Sequence, residues 1–283
     1  MRALRVLATG PLALVQDLGR PGWASQGVGR SGAADRSALR LANRLVANDE
    51  GAAGIEATFG GLRVRAHGEL VLALTGAVAP AQVNGTPTGH AGVFRLPHGG
   101  ELSLGPPAAG LRTYLAVRGG ITVPSVLGSR STDTLSGVGP APLSAGTVLP
   151  VGAPPAQYPQ VDLAPVLPPE AGEVVLSVVL GPRADWVCNP ERLLSTMWTA
   201  SERSDRVGMR LEGQALKRAR HEELPSEGLV RGAVQVPPSG EPLLFLADHP
   251  VTGGYPVIAV VCDGDVDRAA QVRPGQRLRF ACE

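Results

Sequence analysis

Short apolar runs separated by glycine and proline recur along the whole chain. The sequence holds 37 Gly and 26 Pro, spread out rather than clustered. Short runs rich in Val and Leu, with Gly and Pro turns between them, are typical of β-barrels and β-sandwiches. We therefore predict strands in the following runs: LRVLA, LRVRA, ELVLAL, GVFRLP, ELSLG, TYLAV, EVVLSVVLG, LLFLA, VIAVV and LRFA.

Two segments follow a helical pattern instead. Asp35–Ala53 is predicted as a helix, with Asp35 as a suitable N-cap. Its apolar residues recur at helical spacing: Leu39, Ala42, Leu45 and Val46. Asn189–Ala200 is predicted as a second helix, with Asn189 as the cap and Pro190 in the first turn. The predicted fold is mainly β with a few short helices.

The middle of the chain carries a proline-rich segment, Gly152–Gly172, without periodicity. Proline makes such a segment a stiff, extended connector. We predict an N-terminal domain over 1–155, a linker over 156–169 and a C-terminal domain over 170–283. Weak internal matches favour two related halves. One of them pairs Asp35-Arg36-x-x-x-Arg40-Leu41 with Asp205-Arg206-x-x-x-Arg210-Leu211.

Composition excludes several classes of function. The net charge of +1 and the scattered arginines do not indicate a nucleic-acid or acidic membrane partner. Lys217 is the only lysine, so the chain has no P-loop and no biotin-carrier lysine motif. Three cysteines without a C-x-x-C pair make a disulfide framework or a zinc site unexpected. The longest apolar stretch, LVLALTGAVAP, is too short to span a bilayer, and we expect a cytoplasmic protein.

A polar loop, ADHPVTGGYP, interrupts two apolar runs, LLFL and VIAVV. Paired glycines let the backbone approach a ligand closely and offer unobstructed N–H groups. Asp248 can accept a proton or hold a cationic group, while Thr252 and Tyr255 offer hydroxyls. The alternative is a tight β-connection in which Gly253 and Gly254 serve turn geometry only.

Other polar positions have two interpretations each. An arginine in a pocket binds carboxylate or phosphate bidentately. Beside Ser204 and Asp205, Arg206 is either such a group or part of a surface ion pair or cap. The run from Ser129 to Asp133 suits an anion or a polar turn. Gln235, on a strand-like alternation, is either a satisfied core amide or a reader of a small substrate. His249 is a candidate base, but no His pair has metal-ligand spacing.

Four strings resemble the KipA family, also called allophanate hydrolase subunit 2 or biotin-dependent carboxyltransferase-like, which includes the C subunit of 5-oxoprolinase. The resemblance runs in order through nearly the whole chain. The strings are VGRSGAADRSALRLANRLVANDEGAAGIEATFGG, YLAVRGGITVPSVLGSRSTDT, SDRVGMRLEG and SEGLVRGAVQVPPSGEPLLFLADHPVTGGYPVIAVV. The loop departs from the family pattern A-D-x-Q-T-T-G-G-Y-P, because the Gln and the first Thr are absent in their usual form.

The resemblance implies two cyclophilin-like β-barrels. It also implies a component of an ATP-dependent 5-oxoprolinase, inactive alone, that works with a smaller protein of the KipI-like or 5-oxoprolinase B-subunit type and with a third subunit. ATP with Mg would act at the level of the complex, and no biotin would be attached to this chain. One alternative is a regulatory binding module that antagonises the KipI-like partner without turnover. Another is a carboxyltransferase or allophanate hydrolase-type subunit of a urea-degrading system.

Site residues follow from the motifs that match the family. The candidates for proton transfer or polar anchoring are Asp35, Asp205 and Asp248. The expected substrate-binding residues are Arg130, Ser131, Ser204, Arg206, Glu227, Gln235, Thr252, Gly253, Gly254 and Tyr255. No metal site is expected in this chain.

Overall fold

The computed structural model describes residues 2–220 and 222–283. Its chain divides into two compact units, and each includes segments distant in sequence. The first unit comprises the chain up to Arg20, Ser31–Asp133 and Gly137–Pro169; the second comprises Pro21–Arg30, Thr134–Ser136 and Glu170–Glu283. The division at Pro169 coincides with the end of the predicted linker. Pro21–Arg30 and Thr134–Ser136 belong to the second unit, although the predicted domain limits place both segments in the N-terminal domain.

The first unit contains two sheets and one long helix. Its strands are β1 (Ala3–Thr9), β2 (Leu12–Gln16), β3 (Gly54–Thr58), β4 (Leu62–His67), β5 (Leu70–Gly76), β6 (Ala81–Val83), β7 (Thr86–Thr88), β8 (Val93–Leu96), β9 (Glu101–Leu104), β10 (Arg112–Val117) and β11 (Val148–Pro150). The six-stranded sheet has the order β11-β1-β4-β9-β6-β7, and the five-stranded sheet has the order β2-β3-β10-β5-β8. All named pairs in both sheets are antiparallel.

Both sheets of the first unit contribute to one apolar core. Leu4 and Val64 come from the six-stranded sheet, Ile55 and Leu115 come from the five-stranded sheet, and all four are buried in one cluster. Alternation along β4 follows the sequence LRVRAH, with apolar residues buried and arginines exposed. Burying one face of each sheet against the other supplies the main favourable free energy of this unit.

Helix α1 covers Arg36–Leu45 and lies against the five-stranded sheet. Asp35 is its N-cap, as predicted, and its Oδ1 accepts a hydrogen bond from Ala38 N at 2.8 Å. The helix ends earlier than the predicted Ala53, because Ala47 takes a left-handed conformation with φ of 55°. Its buried face includes Ala42 and Leu45, which join a second apolar cluster.

The second unit is a closed barrel with two further α-helices. Its strands are β12 (Val174–Leu180), β13 (Trp198–Ala200), β14 (Gly208–Glu212), β15 (Glu227–Gly228), β16 (Ala233–Gln235), β17 (Leu243–Phe245), β18 (Thr252–Gly253), β19 (Val257–Val261) and β20 (Arg277–Cys282). The barrel order is β12-β19-β16-β17-β14-β13-β20, and β15 and β18 form a separate two-stranded sheet. The barrel core includes Leu176, Trp198, Ile258 and Phe280, each at most 2% exposed.

The predicted helix over Asn189–Ala200 is wrong for most of its length. Helix α2 covers only Arg192–Ser195, and Thr196 is already extended. The next residues form β13, in which Trp198 pairs with Leu278 of β20. Closing the barrel overrides the local helical pattern here, since pairing and burial of a Trp outweigh a weak helix propensity. A further helix that the sequence analysis missed, α3, covers Asp263–Ala269.

The predicted fold class, mainly β with a few short helices, is confirmed. Every apolar run predicted as a strand lies in or overlaps one of the strands given above. One of the internal matches has no structural counterpart. Arg36 and Arg40 lie on helix α1, whereas Arg210 and Leu211 lie on strand β14.

Candidate functional site

The polar loop between β17 and β19 begins with a buried ion pair. Arg206 and Asp248 are 2% and 1% exposed. Arg206 Nε donates to Asp248 Oδ2 at 2.9 Å, and Nη2 donates to Oδ1 at 3.2 Å. Asp248 N also donates to Arg206 O at 3.0 Å. This bidentate geometry fixes both side chains, since the planar guanidinium matches the carboxylate at two points.

The Asp248 carboxylate has further donors within the second unit. Thr134 donates to its Oδ2 twice, from the backbone N at 2.9 Å and from Oγ1 at 2.7 Å. A carboxylate held by a guanidinium, a hydroxyl and a backbone N–H is stabilised in its ionised form. The arrangement therefore suits Asp248 to anchor the loop. Arg206 is likewise committed to Asp248 at two of its nitrogens.

The middle of the loop pairs with a second segment. Glu227 and Gly228 of β15 pair with Gly253 and Thr252 of β18, respectively. Glu227 accepts from Arg183 at both carboxylate oxygens, in a pair that is about one-third exposed on each side. The hydrogen bond from Arg183 lowers the pKa of Glu227 below its ordinary value. An accessible, ionised carboxylate and guanidinium thus lie beside the loop glycines.

The end of the loop is fixed by Gln235. Its amide is buried, and Nε2 donates to Tyr255 O at 2.7 Å. A Cβ on Gly253 would lie 2.8 Å from that same Nε2 and 2.8 Å from Leu229 Cδ1, so a larger residue here would displace these side-chain ends. A Cβ on Gly254 would meet nothing closer than a carbonyl at 3.6 Å. The side chain of Tyr255 is 46% exposed. Thr252, Gly254 and the Tyr255 ring are the exposed part of the loop.

Ser204 and Asp205 lie just before the buried arginine. Asp205 is exposed, and its Oδ1 accepts from Val207 N at 2.8 Å and Gly208 N at 3.0 Å. These bonds close a local turn that leads into β14, which is a structural task typical of Asp. Ser204 Oγ is buried and has no hydrogen-bond partner among the described residues. Of the two, Ser204 has the side chain with spare hydrogen-bonding capacity.

Asp35 belongs to a buried network in the first unit. Asp35 N donates to Tyr114 Oη at 2.8 Å, and that hydroxyl donates to Glu56 Oε2 at 2.8 Å. Arg112 Nε lies 3.6 Å from Glu56 Oε1. Burial first, and then the charges of Glu56 and Asp35, raise the pKa of Tyr114 well above its ordinary value. The backbone N–H of Asp35 thus joins this network, while its carboxylate caps helix α1. Both contacts give Asp35 a structural role.

Arg130 and Ser131 also lie in the first unit, around a carboxylate that the sequence analysis missed. Asp17 Oδ1 accepts from Ser129 Oγ at 2.6 Å and from Ser131 Oγ at 2.5 Å. Its Oδ2 accepts from Arg130 N at 2.6 Å. The Arg130 guanidinium donates instead to Val123 O at 2.8 Å. The Ser131 hydroxyl is thus engaged with Asp17. Asp17 follows strand β2 directly, and this position after an apolar run was the available signal.

His249 has a backbone contact and a ring contact. His249 Nδ1 lies 2.8 Å from Pro250 O, and its ring is 6.4 Å from that of Phe245. Within residues 2–220 and 222–283, no group of three or more His, Cys, Asp or Glu side chains is placed to bind a metal ion. The three cysteines are free thiols. In the same part of the chain, no helix has the length and apolar character that crossing a membrane requires.

The chain forms two units rich in β-strands, and a buried Arg–Asp pair anchors a glycine-containing loop in the second. These features give the class of protein with which the chain is compared. The sequence profile described as "Carboxyltransferase domain, subdomain A and B" matches residues 26–282. The chain belongs to this carboxyltransferase-domain family.

Individual relatives and solved structures match nearly the whole of this chain. The chain is similar to the C subunit of 5-oxoprolinase from Escherichia coli K12, with 37% identity over 98% of this chain and 90% of the relative. It is also similar to the crystal structure of TTHA0988, with a TM-score of 0.90, 36% identity and coverage of 99% of this chain. The Kluyveromyces lactis urea carboxylase structure matches with a TM-score of 0.92 and 30% identity over 99% of this chain. This chain spans 56% of TTHA0988 and 27% of the urea carboxylase chain.

Proposed function

We propose that this chain is the C subunit of a 5-oxoprolinase, which opens the cyclic amide of 5-oxoproline to give glutamate. The observation that carries the proposal is the likeness to the Escherichia coli C subunit, which extends over nearly all of both chains. The name of that relative indicates further subunits. We assign the role of partners to a smaller protein of the KipI-like, B-subunit type and to a third subunit, and we expect this chain to be inactive alone.

The reaction sets the demands on the site. Water adds to the ring carbonyl carbon, the ring C–N bond breaks, and the nitrogen gains a proton to become the amino group of glutamate. An amide resists hydrolysis at neutral pH, so activation of its oxygen is needed. ATP, as its magnesium complex, would supply that activation in the whole complex. The site must also hold the carboxylate of the substrate and orient the planar ring.

The accessible groups around the β17–β19 loop suit binding and orientation. The backbone at Gly254 is open to a planar ring, and the Tyr255 hydroxyl offers one hydrogen-bond donor beside it. Arg183, one-third exposed and paired with Glu227, offers a guanidinium for the substrate carboxylate. Arg206 and Asp248 would act as positioning residues, because they fix the start of the loop without exposing a polar atom.

The described residues do not provide the usual groups for magnesium and nucleotide phosphates. No cluster of three candidate metal ligands occurs among them, and Lys217 is the only lysine of the chain. Hence no step of nucleotide chemistry is assigned to this chain. Its share in the proposed reaction is to bind and orient the cyclic amide.

The test is turnover by the assembled complex. The chain is co-expressed with its smaller partner, the third subunit is added, and glutamate and ADP are followed from 5-oxoproline with and without ATP. We expect ATP-dependent release of glutamate, and a loss of at least tenfold in kcat/KM for Tyr255→Phe. Tyr158→Phe is the matched control, since Tyr158 is an 81% exposed tyrosine of the first unit. An assembled complex that leaves 5-oxoproline intact would reject the proposal.

A carboxyltransferase role is the second candidate, because the urea carboxylase structure of Kluyveromyces lactis matches with a TM-score of 0.92. This role requires a biotin carrier on another chain. Transfer of labelled carboxyl from a carboxylated biotin carrier to urea, in place of glutamate release, would favour it. A stable complex with the smaller partner and neither activity would favour the regulatory module.

A further inference from the structure

Arg20 is a buried cation with no neutralising partner in the first unit. It follows strand β2 and is 1% exposed. Its Nη2 donates to Ser131 O, a neutral carbonyl. Within the described part of the chain, its Nε and Nη1 have no hydrogen-bond partner and no carboxylate forms an ion pair with it. A guanidinium group carries a positive charge and five N–H donors.

The nearest carboxylate in sequence is already engaged. Asp17 accepts from Ser129 Oγ, Ser131 Oγ and Arg130 N at 2.5–2.6 Å, and from Gly19 N at 2.8 Å. Oδ1 accepts three of these bonds and Oδ2 accepts the fourth. Asp17 is thus engaged with the backbone and hydroxyl groups around it, and among the described residues it forms no ion pair with Arg20.

Two more buried polar atoms lack hydrogen-bond partners among the described residues. One is Oγ1 of Thr132, the residue after Ser131. The other is Oε1 of Gln16, whose Nε2 donates to Thr132 O at 2.8 Å. Buried polar atoms are nearly always hydrogen-bonded, and buried charges are paired. A bridging water would satisfy Thr132 and Gln16, but a water does not neutralise a guanidinium.

The backbone packs closely around Arg20. Gly139 takes a φ of 101°, and a Cβ there would lie 3.0 Å from Arg20 Nη2 and 2.0 Å from Ser131 O. A Cβ on Gly32 would lie 2.7 Å from Gly19 N. Close packing favours a compact ligand over a bulky one such as a phosphate ester. A small, flat carboxylate-type anion can present two oxygens to the planar guanidinium.

We propose that Arg20, assisted by the Thr132 hydroxyl, binds a small carboxylate-type oxyanion within the first unit. The ligand is either a free ion such as bicarbonate or the carboxylate of a small organic acid. Guanidinium N–H groups would meet its oxygens, and Thr132 Oγ1 would donate to one of them. This inference does not depend on the proposed 5-oxoprolinase activity.

The test measures anion binding by the full chain. Thermal unfolding and titration calorimetry are recorded with sodium formate, sodium bicarbonate and 5-oxoproline, each against sodium chloride at equal ionic strength and pH. A ligand that binds only the folded chain raises Tm with its concentration. We expect formate to raise Tm beyond the chloride control. Arg20→Met should abolish this rise, and Thr132→Val should weaken binding about tenfold.

Controls separate the site from general charge effects. Arg5→Met removes an exposed arginine of strand β1 and should leave the formate response unchanged. Arg20→Lys keeps the charge but not the planar fork, and it should weaken binding at least tenfold. It also covers the case in which Arg20→Met fails to fold.

The outcomes are distinct. A response to formate and bicarbonate alone identifies a free ion as the source. An additional response to 5-oxoproline identifies an organic carboxylate. A formate response no larger than that of chloride, or one that survives in both Arg20 variants, overturns the proposal and leaves bridging water as the occupant.

Discussion

Arg206 and Asp248, 42 positions apart in the chain, meet as a two-point ion pair with almost no exposure to solvent. Removing two charges from water is costly, and the cost is offset only while both partners remain and their other hydrogen bonds are made. Thr134 donates two of those further bonds to the carboxylate. The pair therefore fixes the first residue of the loop that carries the proposed substrate contacts.

Breaking this pair at one side should destabilise the protein strongly. Asp248→Asn removes the carboxylate charge that meets the buried guanidinium at two points, and we expect a loss of about 3–5 kcal/mol in the free energy of unfolding. Arg206→Met together with Asp248→Asn should cost less than the sum of the two single changes, because neither charge is left alone. Urea unfolding of the four proteins measures this.

Asp205→Asn is the matched control for that series. Asp205 is exposed, and its Oδ1 accepts two backbone N–H bonds that an Asn oxygen can also accept. Its effect should stay within about 0.5 kcal/mol, as for ordinary surface changes. Equal effects of Asp248→Asn and Asp205→Asn would contradict the role given to the buried pair.

The two loop glycines should respond differently to a methyl group. Gly253→Ala places Cβ 2.8 Å from Gln235 Nε2, so the Gln235 contact to Tyr255 must shift. We expect turnover by the assembled complex to fall at least tenfold. Gly254→Ala has space, with the nearest atom at 3.6 Å, and should stay folded with a smaller loss. The test is to measure steady-state kinetics and Tm for both variants. The prediction is wrong if Gly253→Ala turns over 5-oxoproline at the wild-type rate.

Local patterns predicted ten of the twenty strands described here, because each of these apolar runs is its own signal. The predicted runs did not include the others, among them β2 and β3. Local patterns also predicted Asp35 as a cap, since a cap needs only the next three residues. The pattern failed at Trp198, whose extended conformation depends on Leu278 in another strand. Only the folded barrel supplies that partner.

The candidate site shows the same limit. The resemblance identified Arg206 and Asp248 separately, but their pairing and the contribution of Thr134 depend on contacts 42 and 114 positions apart in the chain. Arg20 was missed because nothing local distinguishes a buried arginine from an exposed one, whereas Asp17 had a local signal in its position after strand β2. Burial is a property of the whole fold, and in Arg20 it is the burial that makes the charge significant.

Glu227 should give the stability a specific dependence on pH. Hydrogen bonding from Arg183 lowers its folded pKa, so the pair contributes fully above the ordinary pKa of a glutamate. The contribution is lost as the pH falls through that lowered value, where the carboxyl becomes protonated. We expect wild type and Glu227→Gln to differ in Tm at neutral pH and to converge in acid. Glu222→Gln, at an exposed position nearby, is the control, and a difference that persists unchanged in acid would oppose this.

Substitutions of Asp35 can distinguish a structural role of its carboxylate from a catalytic one. Its Oδ1 caps helix α1 through Ala38 N, and its backbone joins the Tyr114–Glu56 network. Asp35→Ala should lower the free energy of unfolding by about 0.5–2 kcal/mol, the usual cost of losing a cap. Asp35→Ser keeps a capping oxygen, so it should retain both stability and turnover by the assembled complex. A Ser variant as stable as wild type but inactive would instead assign the carboxylate to the chemistry, because only the acid function has then been removed.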